Sequence, residues 1–184
     1  EYIVFLDAYM PYHPDGLVLG MKIDASLYYK EVEEFLRRVS KVTDLPVIVA
    51  AHPKADYRLH WECYQGMKII QFKTAELISR AKLVITHISI AISMILICRK
   101  PFMLITTDEV RKIIYTKEIE EAQERDISVE TINVSDRLSD DDVKRLVKEA
   151  EDLKEEYFDK QMLKYRLPQG HPNEFLSFGN VIIK

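Results

Sequence analysis

Leu83-Val84-Ile85-Thr86-His87-Ile88-Ser89-Ile90-Ala91-Ile92-Ser93-Met94-Ile95-Leu96-Ile97-Cys98-Arg99-Lys100-Pro101, followed at once by Phe102-Met103-Leu104-Ile105, is the stretch that decides the fold. It reads as a short apolar strand, a polar break, an apolar helix and a second apolar strand. Ser89 is a natural N-cap for the helix, and Pro101 stops it because the residue before a proline is driven out of helical conformation. A helix that is apolar on nearly every face must be buried between layers. Strands that are continuous apolar runs, rather than alternating ones, are covered on both sides, as in parallel sheets with helical crossovers.

The same grammar extends in both directions. Tyr2-Ile3-Val4-Phe5-Leu6 reads as a first buried strand ending in Asp7. Pro11 to Gly20, with two prolines and two glycines, reads as a loop. Asp24 or Ser26 caps a helix running to about Val42, with Leu27, Val32, Phe35, Leu36 and Val39 on its inner face. Leu45-Pro46 ends it, and the strand Val47-Ile48-Val49-Ala50-Ala51 follows. Met67 to Gln71 is a third strand, and Thr74 caps a two-turn helix before Leu83. After Ile105, Asp108 caps a helix to about Glu124, Val129 to Val134 is a sixth strand, and Ser139 or Asp140 starts a charged helix reaching about Lys164. Strands alternating with helices demand right-handed crossovers. The expected fold is therefore α/β: a Rossmann-like, doubly wound parallel sheet of about six strands over residues 1–165. Residues 166–184 form a C-terminal tail with an extended end at Val181-Ile182-Ile183.

The 184 residues hold 30% charged and 47% hydrophobic side chains, with a net charge of −4. Lys and Arg are spread along the chain, which argues against a nucleic-acid partner. No apolar run approaches the ~20 residues that cross a bilayer, and no leader is visible. A cytoplasmic setting is expected. Cys63 and Cys98 are far apart, and neither has a nearby partner; Cys98 reads as a buried free thiol. The chain opens on Glu1 directly before a strand, which reads as an excised part of a longer protein with a partner domain ahead of it.

Two strand ends carry the chemistry. Val47–Ala51 runs into His52-Pro53-Lys54, and Leu83–Ile85 runs into Thr86-His87-Ile88-Ser89, with Ser93 one turn on. In open α/β sheets ligands bind outside the carboxyl ends of the strands. His52 and Lys54 can donate to phosphate oxygens, and His52 can pass a proton to a leaving phosphate. Ser89 at a helix start, with Ser93 four residues on, marks an anion site. The bland readings are a loop-bonded histidine, a simple cap and a back-bonded serine. Asp7 and Asp15, the latter in His13-Pro14-Asp15-Gly16, leave the first strand and can bind a sugar hydroxyl or act as a base; turn chemistry explains Asp15-Gly16 equally well. Glu76 in the first turn after Thr74 is explained by the helix dipole, with a ribose contact as the alternative. Tyr57, Trp61 and Tyr64 form either a stacking wall or core packing. His52, His60, Cys63 and His87 match no zinc spacing. Neither GxGxxG nor GxxxxGK[ST] occurs, so no dinucleotide or P-loop cofactor site is expected, and no metal or other cofactor is implied.

The order of these motifs resembles the C-terminal, nucleotide-binding half of a GT-B glycosyltransferase. More narrowly, it resembles bacterial surface-carbohydrate and capsule biosynthesis proteins related to sialyltransferases and polysialyltransferases. In that group a His-Pro motif ends one strand and a serine-rich motif opens a helix two strands later, both holding the phosphate of a CMP-sugar donor. His52-Pro53, with Lys54, matches the first; Ser89 and Ser93, preceded by Thr86-His87, match the second. Lys73-Thr74-Ala75-Glu76-Leu77 is also typical. The resemblance implies a nucleotide-sugar donor, CMP-linked, bound by His52, Pro53, Lys54, Thr86, His87, Ser89 and Ser93; the residue reading adds Asp7 and Glu76 as donor contacts, and His52 with Asp15 is the expected catalytic pair. It also implies a glycan acceptor bound through a missing domain, and a parent protein that associates peripherally with membranes. The group's acidic-acidic-Gly motif, which supplies the acceptor's base, is matched only by Pro14-Asp15-Gly16. The alternatives left open are a CDP-glycerol-type phosphotransferase or a sugar-nucleotide epimerase on the same scaffold, and a non-catalytic Rossmann-like binding module.

Overall fold

Six parallel strands lie in the order β3-β2-β1-β4-β5-β6 in the computed structural model, which describes residues 1–60, 63–87, 89 and 91–167. They are β1 (Ile3–Leu6), β2 (Val47–Ala51), β3 (Lys68–Gln71), β4 (Leu83–Thr86), β5 (Phe102–Thr106) and β6 (Thr131–Asn133). The sheet grows outward from β1 in one direction and then returns to add β4 on β1's other side. Ile3 sits level with both Val47 and Leu83, and Leu6 level with both Ala50 and Thr86. The reversal of strand order falls between β1 and β4, the place where a crevice opens at the carboxyl edge of such sheets.

The helices are α1 (Pro14–Val18), α2 (Ala25–Thr43), α3 (Thr74–Arg80), α4 (Ile92–Ile97), α5 (Asp108–Arg111), α6 (Ile114–Ile127), α7 (Asp140–Glu151) and α8 (Glu155–Lys164). Successive strand residues point to opposite faces, and the core divides accordingly. Ile3, Phe5, Leu83 and Ile85 pack with Tyr28, Val32, Phe35 and Leu36 of α2 and Val143 of α7. Val4, Leu6 and Val84 pack with Leu77 and Ile78 of α3, Ile95 and Leu96 of α4 and Phe158 of α8. Asp24 Oδ1 caps α2 by accepting from Leu27 N–H at 3.1 Å, and Asp44 ends it in the left-handed region.

Several boundaries differ from the sequence reading, each for a local reason. The expected loop after β1 holds a 3₁₀ turn (Met10–Tyr12) and α1, because Pro14 occupies the first helical position, where its missing N–H costs nothing. Leu27 is exposed, and Tyr28 and Tyr29 take the inner face of α2 instead. The helix expected to begin at Ser89 begins at Ile92, with Ala91 as an N-cap that offers no side-chain bond. Thr107, rather than Asp108, caps α5, and the expected single helix there is two, α5 and α6. The long charged helix is also two, α7 and α8, separated at Asp152–Lys154. Cys98 is half-buried rather than buried, and neither cysteine forms a disulfide among the described residues. The end at Val181-Ile182-Ile183 lies outside the described residues. No helix among those described is long and apolar enough to cross a membrane.

Candidate functional site

A cleft of about 510 Å³ opens at the strand-order reversal. Its walls come from four consecutive strand ends: Asp7, Ala8, Met10 and His13 after β1; His52 and Pro53 after β2; Thr74 at the start of α3; and Ser89, Ser93 and Met94 around α4. The two polar strand ends singled out in the sequence thus face one space, although 37 residues of chain separate His52 from Ser89.

His52 is held by its own turn. Its Nδ1 accepts the Lys54 backbone N–H at 3.1 Å, and its carbonyl accepts the Ala55 N–H at 2.9 Å. Gln71, the last residue of β3, donates its side-chain amide to the carbonyls of His52, Pro53 and Ala55 at 3.0–3.1 Å. Because the Lys54 amide can only donate, Nδ1 must be unprotonated, and the ring proton sits on Nε2. Partial burial, followed by neighbouring His13 and Lys54, lowers the pKa of His52 from its ordinary 6.5. The imidazole is therefore built as a neutral Nε2–H donor. It offers a hydrogen bond to an anion rather than a surplus proton.

Asp7 belongs to the same architecture in a different role. It lines the cleft but is buried. Its carboxylate accepts from the Tyr9 N–H and the Tyr64 hydroxyl, each at 3.0 Å, and from the Tyr57 hydroxyl. Burial pushes its pKa up, while the three donors pull the other way. Tyr57 and Tyr64 both lie on the long β2–β3 segment that His52 opens, so Asp7 fastens that segment to the end of β1. They are core packing around a carboxylate, their rings 5.8 Å apart and edge-on; Trp61 lies outside the described residues.

The remaining predicted residues fall into three groups. Ser89 and Ser93 line the cleft, and Ser89 Oγ accepts from the Ala91 N–H at 3.1 Å, so it shapes the approach to α4 rather than capping it. Lys54 and Asp15 stand at the exposed mouth, paired at 3.1 Å. Lys54, then His13 and His52, hold the Asp15 carboxyl below the usual range. Thr86, His87 and Glu76 do not line the cleft. Thr86 is buried at the end of β4, with no partner for its hydroxyl among the described residues. His87 is 2% exposed; its Nδ1–H donates to the Ile105 carbonyl at 2.9 Å and its Nε2 accepts from the Tyr28 hydroxyl at 2.7 Å. The alternation of β4 forces this: His87 keeps the phase of Leu83 and Ile85 and enters the α2 layer. Glu76 is spent on exposed ion pairs with Arg80 at 3.3 Å and Lys73 at 3.8 Å.

Sequence reasoning missed His13, Gln71 and Thr74 as parts of this region. No group of three or more His, Cys, Asp or Glu among the described residues is placed to hold a metal.

Comparison with known proteins bears on the fold. No family model matches the chain, and no curated protein matches it. Among solved structures, that of the glycotransferase of kitacinnamycin superposes over 90% of this chain with a TM-score of 0.52 at 12% identity. The match covers 39% of that protein's chain. At this identity the likeness shows the fold: a Rossmann-like α/β sheet of the kind a glycosyltransferase contains.

Proposed function

We propose that this chain is the nucleotide-sugar-binding domain of a glycosyltransferase. The observation that carries the reading is the convergence of His52 and Ser89/Ser93 on one cleft at the strand-order reversal of a glycosyltransferase-like sheet. His52 donates from Nε2 to the donor's phosphate, and the two serine hydroxyls contact it from the opposite wall. Lys54, whose ion pair among the described residues is with exposed Asp15, adds positive charge at the mouth. Such donors, fixed before the ligand arrives, stabilise negative charge that develops on a departing phosphate without reorganising. A CMP-linked sugar is the favoured donor, on the resemblance of the His-Pro and serine motifs, and the same resemblance places the reaction in bacterial surface polysaccharide synthesis.

The chemistry divides unevenly between this chain and its surroundings. A general base works best with a pKa near the working pH. The Asp7 carboxylate is taken up by three donors inside the fold, and Asp15 is held low by Lys54, so neither is placed to serve as that base. We assign this chain the donor phosphate and assign the acceptor and its base to the rest of the protein. Asp15 then orients Lys54.

The test is calorimetric titration with CMP, CDP and UDP of the chain and of its His52→Ala and Ser89→Ala variants. Each variant is expected to weaken binding about tenfold, the loss of one hydrogen bond to a charged group. Parent-like affinity of both variants for all three nucleotides would remove the site. Binding of UDP in preference to CMP would move the reading toward the epimerase.

A further inference from the structure

His13-Pro14-Asp15 and His52-Pro53-Lys54 are two copies of one local device, and they face each other. In each, the histidine precedes a proline and its Nδ1 accepts the backbone N–H two residues on: Asp15 N–H at 3.2 Å for His13, Lys54 N–H at 3.1 Å for His52. The rings lie 4.8 Å apart, edge to face, and both line the cleft. The third residues carry opposite charges and pair across the gap, Lys54 Nζ to Asp15 Oδ1 at 3.1 Å. Every histidine ring has two nitrogens. Here the inner nitrogen of each is occupied by its own turn, and the Nε2–H is left for something else.

We infer that His13 is a second ligand-binding residue of this cleft, and that His13 and His52 act together as a pair of Nε2–H donors that grip one phosphate of the bound ligand. The inference rests on the cleft being the nucleotide site and goes beyond it by naming a residue and a protonation state. Charging His52 would require a proton on Nδ1, which would expel the backbone amide now bonded there. Two adjacent imidazolium rings would also repel each other, whereas two neutral donors do not. The groups facing the pair are Lys54 and Asp15 at the mouth and Asp7 on the wall. Lys54 supplies the charge that the rings do not. A phosphate offers several acceptor oxygens, so two donors side by side can be used at once. Recognition of this kind holds steady as the pH rises above neutrality. Recognition by an imidazolium falls about tenfold per pH unit above its pKa.

The decisive variant is His13→Asn. Asparagine Oδ1 takes the place of Nδ1 as acceptor and is a preferred residue at the start of a helix, so the turn into α1 survives; the outward donor does not. CMP, CDP and UDP are titrated into the parent chain, His13→Asn, His52→Ala and the double variant between about pH 7 and about pH 8.5. The expected result is about tenfold weaker binding for His13→Asn at an unchanged melting temperature. The double variant should lose less than the product of the single losses, because both rings hold the same phosphate. Parent affinity should be nearly flat across the pH range. Nitrogen-15 spectra of the ligand-free chain should show both rings protonated at Nε2 only. If nucleotides bind and His52→Ala weakens them while His13→Asn does not, the pair is refuted and the nucleotide site stands. If affinity falls about tenfold per pH unit, or the spectra show an imidazolium at pH 7, the neutral clamp is refuted. If no nucleotide binds at all, the site and the clamp fall together.

Discussion

Acid should weaken this protein through His87, a residue remote from the cleft wall. The buried ring donates to Ile105 and accepts from Tyr28, and burial in that apolar layer lowers its pKa from 6.5 to about 4, the Ile105 bond opposing the shift. Unfolded, His87 takes up a proton near pH 6.5; folded, it resists until about pH 4. Between those values the unfolded chain binds more protons, so stability falls as the pH falls, and the contribution is complete only above 6.5. At ~1.4 kcal/mol per pH unit, the window is worth on the order of 3 kcal/mol. The assay is urea unfolding of the parent and of His87→Gln in steps from about pH 7.5 to about pH 3.5, a range that brackets the linkage. At the upper end the variant should be less stable by about 1–3 kcal/mol, since Tyr28 or Ile105 loses part of its bonding. That gap should then shrink by about 3 kcal/mol, or reverse, as the pH falls, because only the parent has a buried imidazole to charge. His52 and Asp7 titrate in both chains and cancel in the difference. A gap that stays constant within about 0.5 kcal/mol across the series would mean His87 does not carry the acid sensitivity, and the burial argument would fail.

Four further outcomes follow from particular contacts. Asp7→Ala leaves the buried hydroxyl of Tyr64 and that of Tyr57 without their acceptor and should cost about 3–5 kcal/mol in urea unfolding, the range for breaking a buried polar network from one side. Asp7→Asn keeps the shape. Because the raised Asp7 pKa makes the parent lose stability as the pH climbs past the ordinary carboxylate range, this variant should gain on the parent as the pH rises through that range in the same experiment. Ser139→Ala removes one half of the capping box in which Ser139 Oγ accepts the Asp142 N–H at 3.1 Å while Asp142 Oδ2 accepts the Ser139 N–H at 2.9 Å; a loss of about 1 kcal/mol in thermal or urea unfolding is expected, with nucleotide binding unchanged. Gln71→Ala should leave the melting temperature within about 4 °C of the parent yet weaken nucleotide binding, since it releases the three carbonyls of the His52 turn while touching no ligand. Binding equal to that of the parent would show that the turn holds itself.

The sheet was legible because buried parallel strands are written as unbroken apolar runs, a signal that needs no neighbours to interpret. Helix breaks were less so. Nothing in Asp152-Leu153-Lys154 resembles a stop signal, because neither Gly nor Pro is present and charge alternation continues on both sides. The split there follows from packing: Val143 and Val147 face the α2 layer, whereas Phe158 and Met162 face the opposite one. No single straight helix can serve both. A proline that breaks a chain and a proline that opens a helix, as Pro14 does, look alike in sequence. Ser89 has the residue type of a cap, and type does not say whether the next turn is helical.

The harder lesson concerns which polar residues at a strand end serve a ligand and which serve the sheet. Both kinds sit at the same edge, and residue type does not separate them. Strand phase does. Asp7 follows Ile3 and Phe5, and His87 follows Leu83 and Ile85, so two-residue alternation carries both side chains into the α2 layer, where tyrosines close over them. His52 follows Ile48 and Ala50, so the same alternation sends it to the opposite layer; in both His52 and His13 the proline that follows turns the chain and one ring nitrogen is spent on the turn itself. What remains exposed is the outer nitrogen. The residues that look most chemical at the strand ends are therefore the ones that hold the loops, and the cleft's own donors come from the turns those loops begin. Asp7 anchors Tyr57 and Tyr64, Gln71 ties the same segment down at its start, and His52 is thereby fixed before any ligand arrives. A fixed donor loses little freedom on binding, which is why a half-buried histidine on a long segment can be a strong contact here and would be a weak one on an untethered loop.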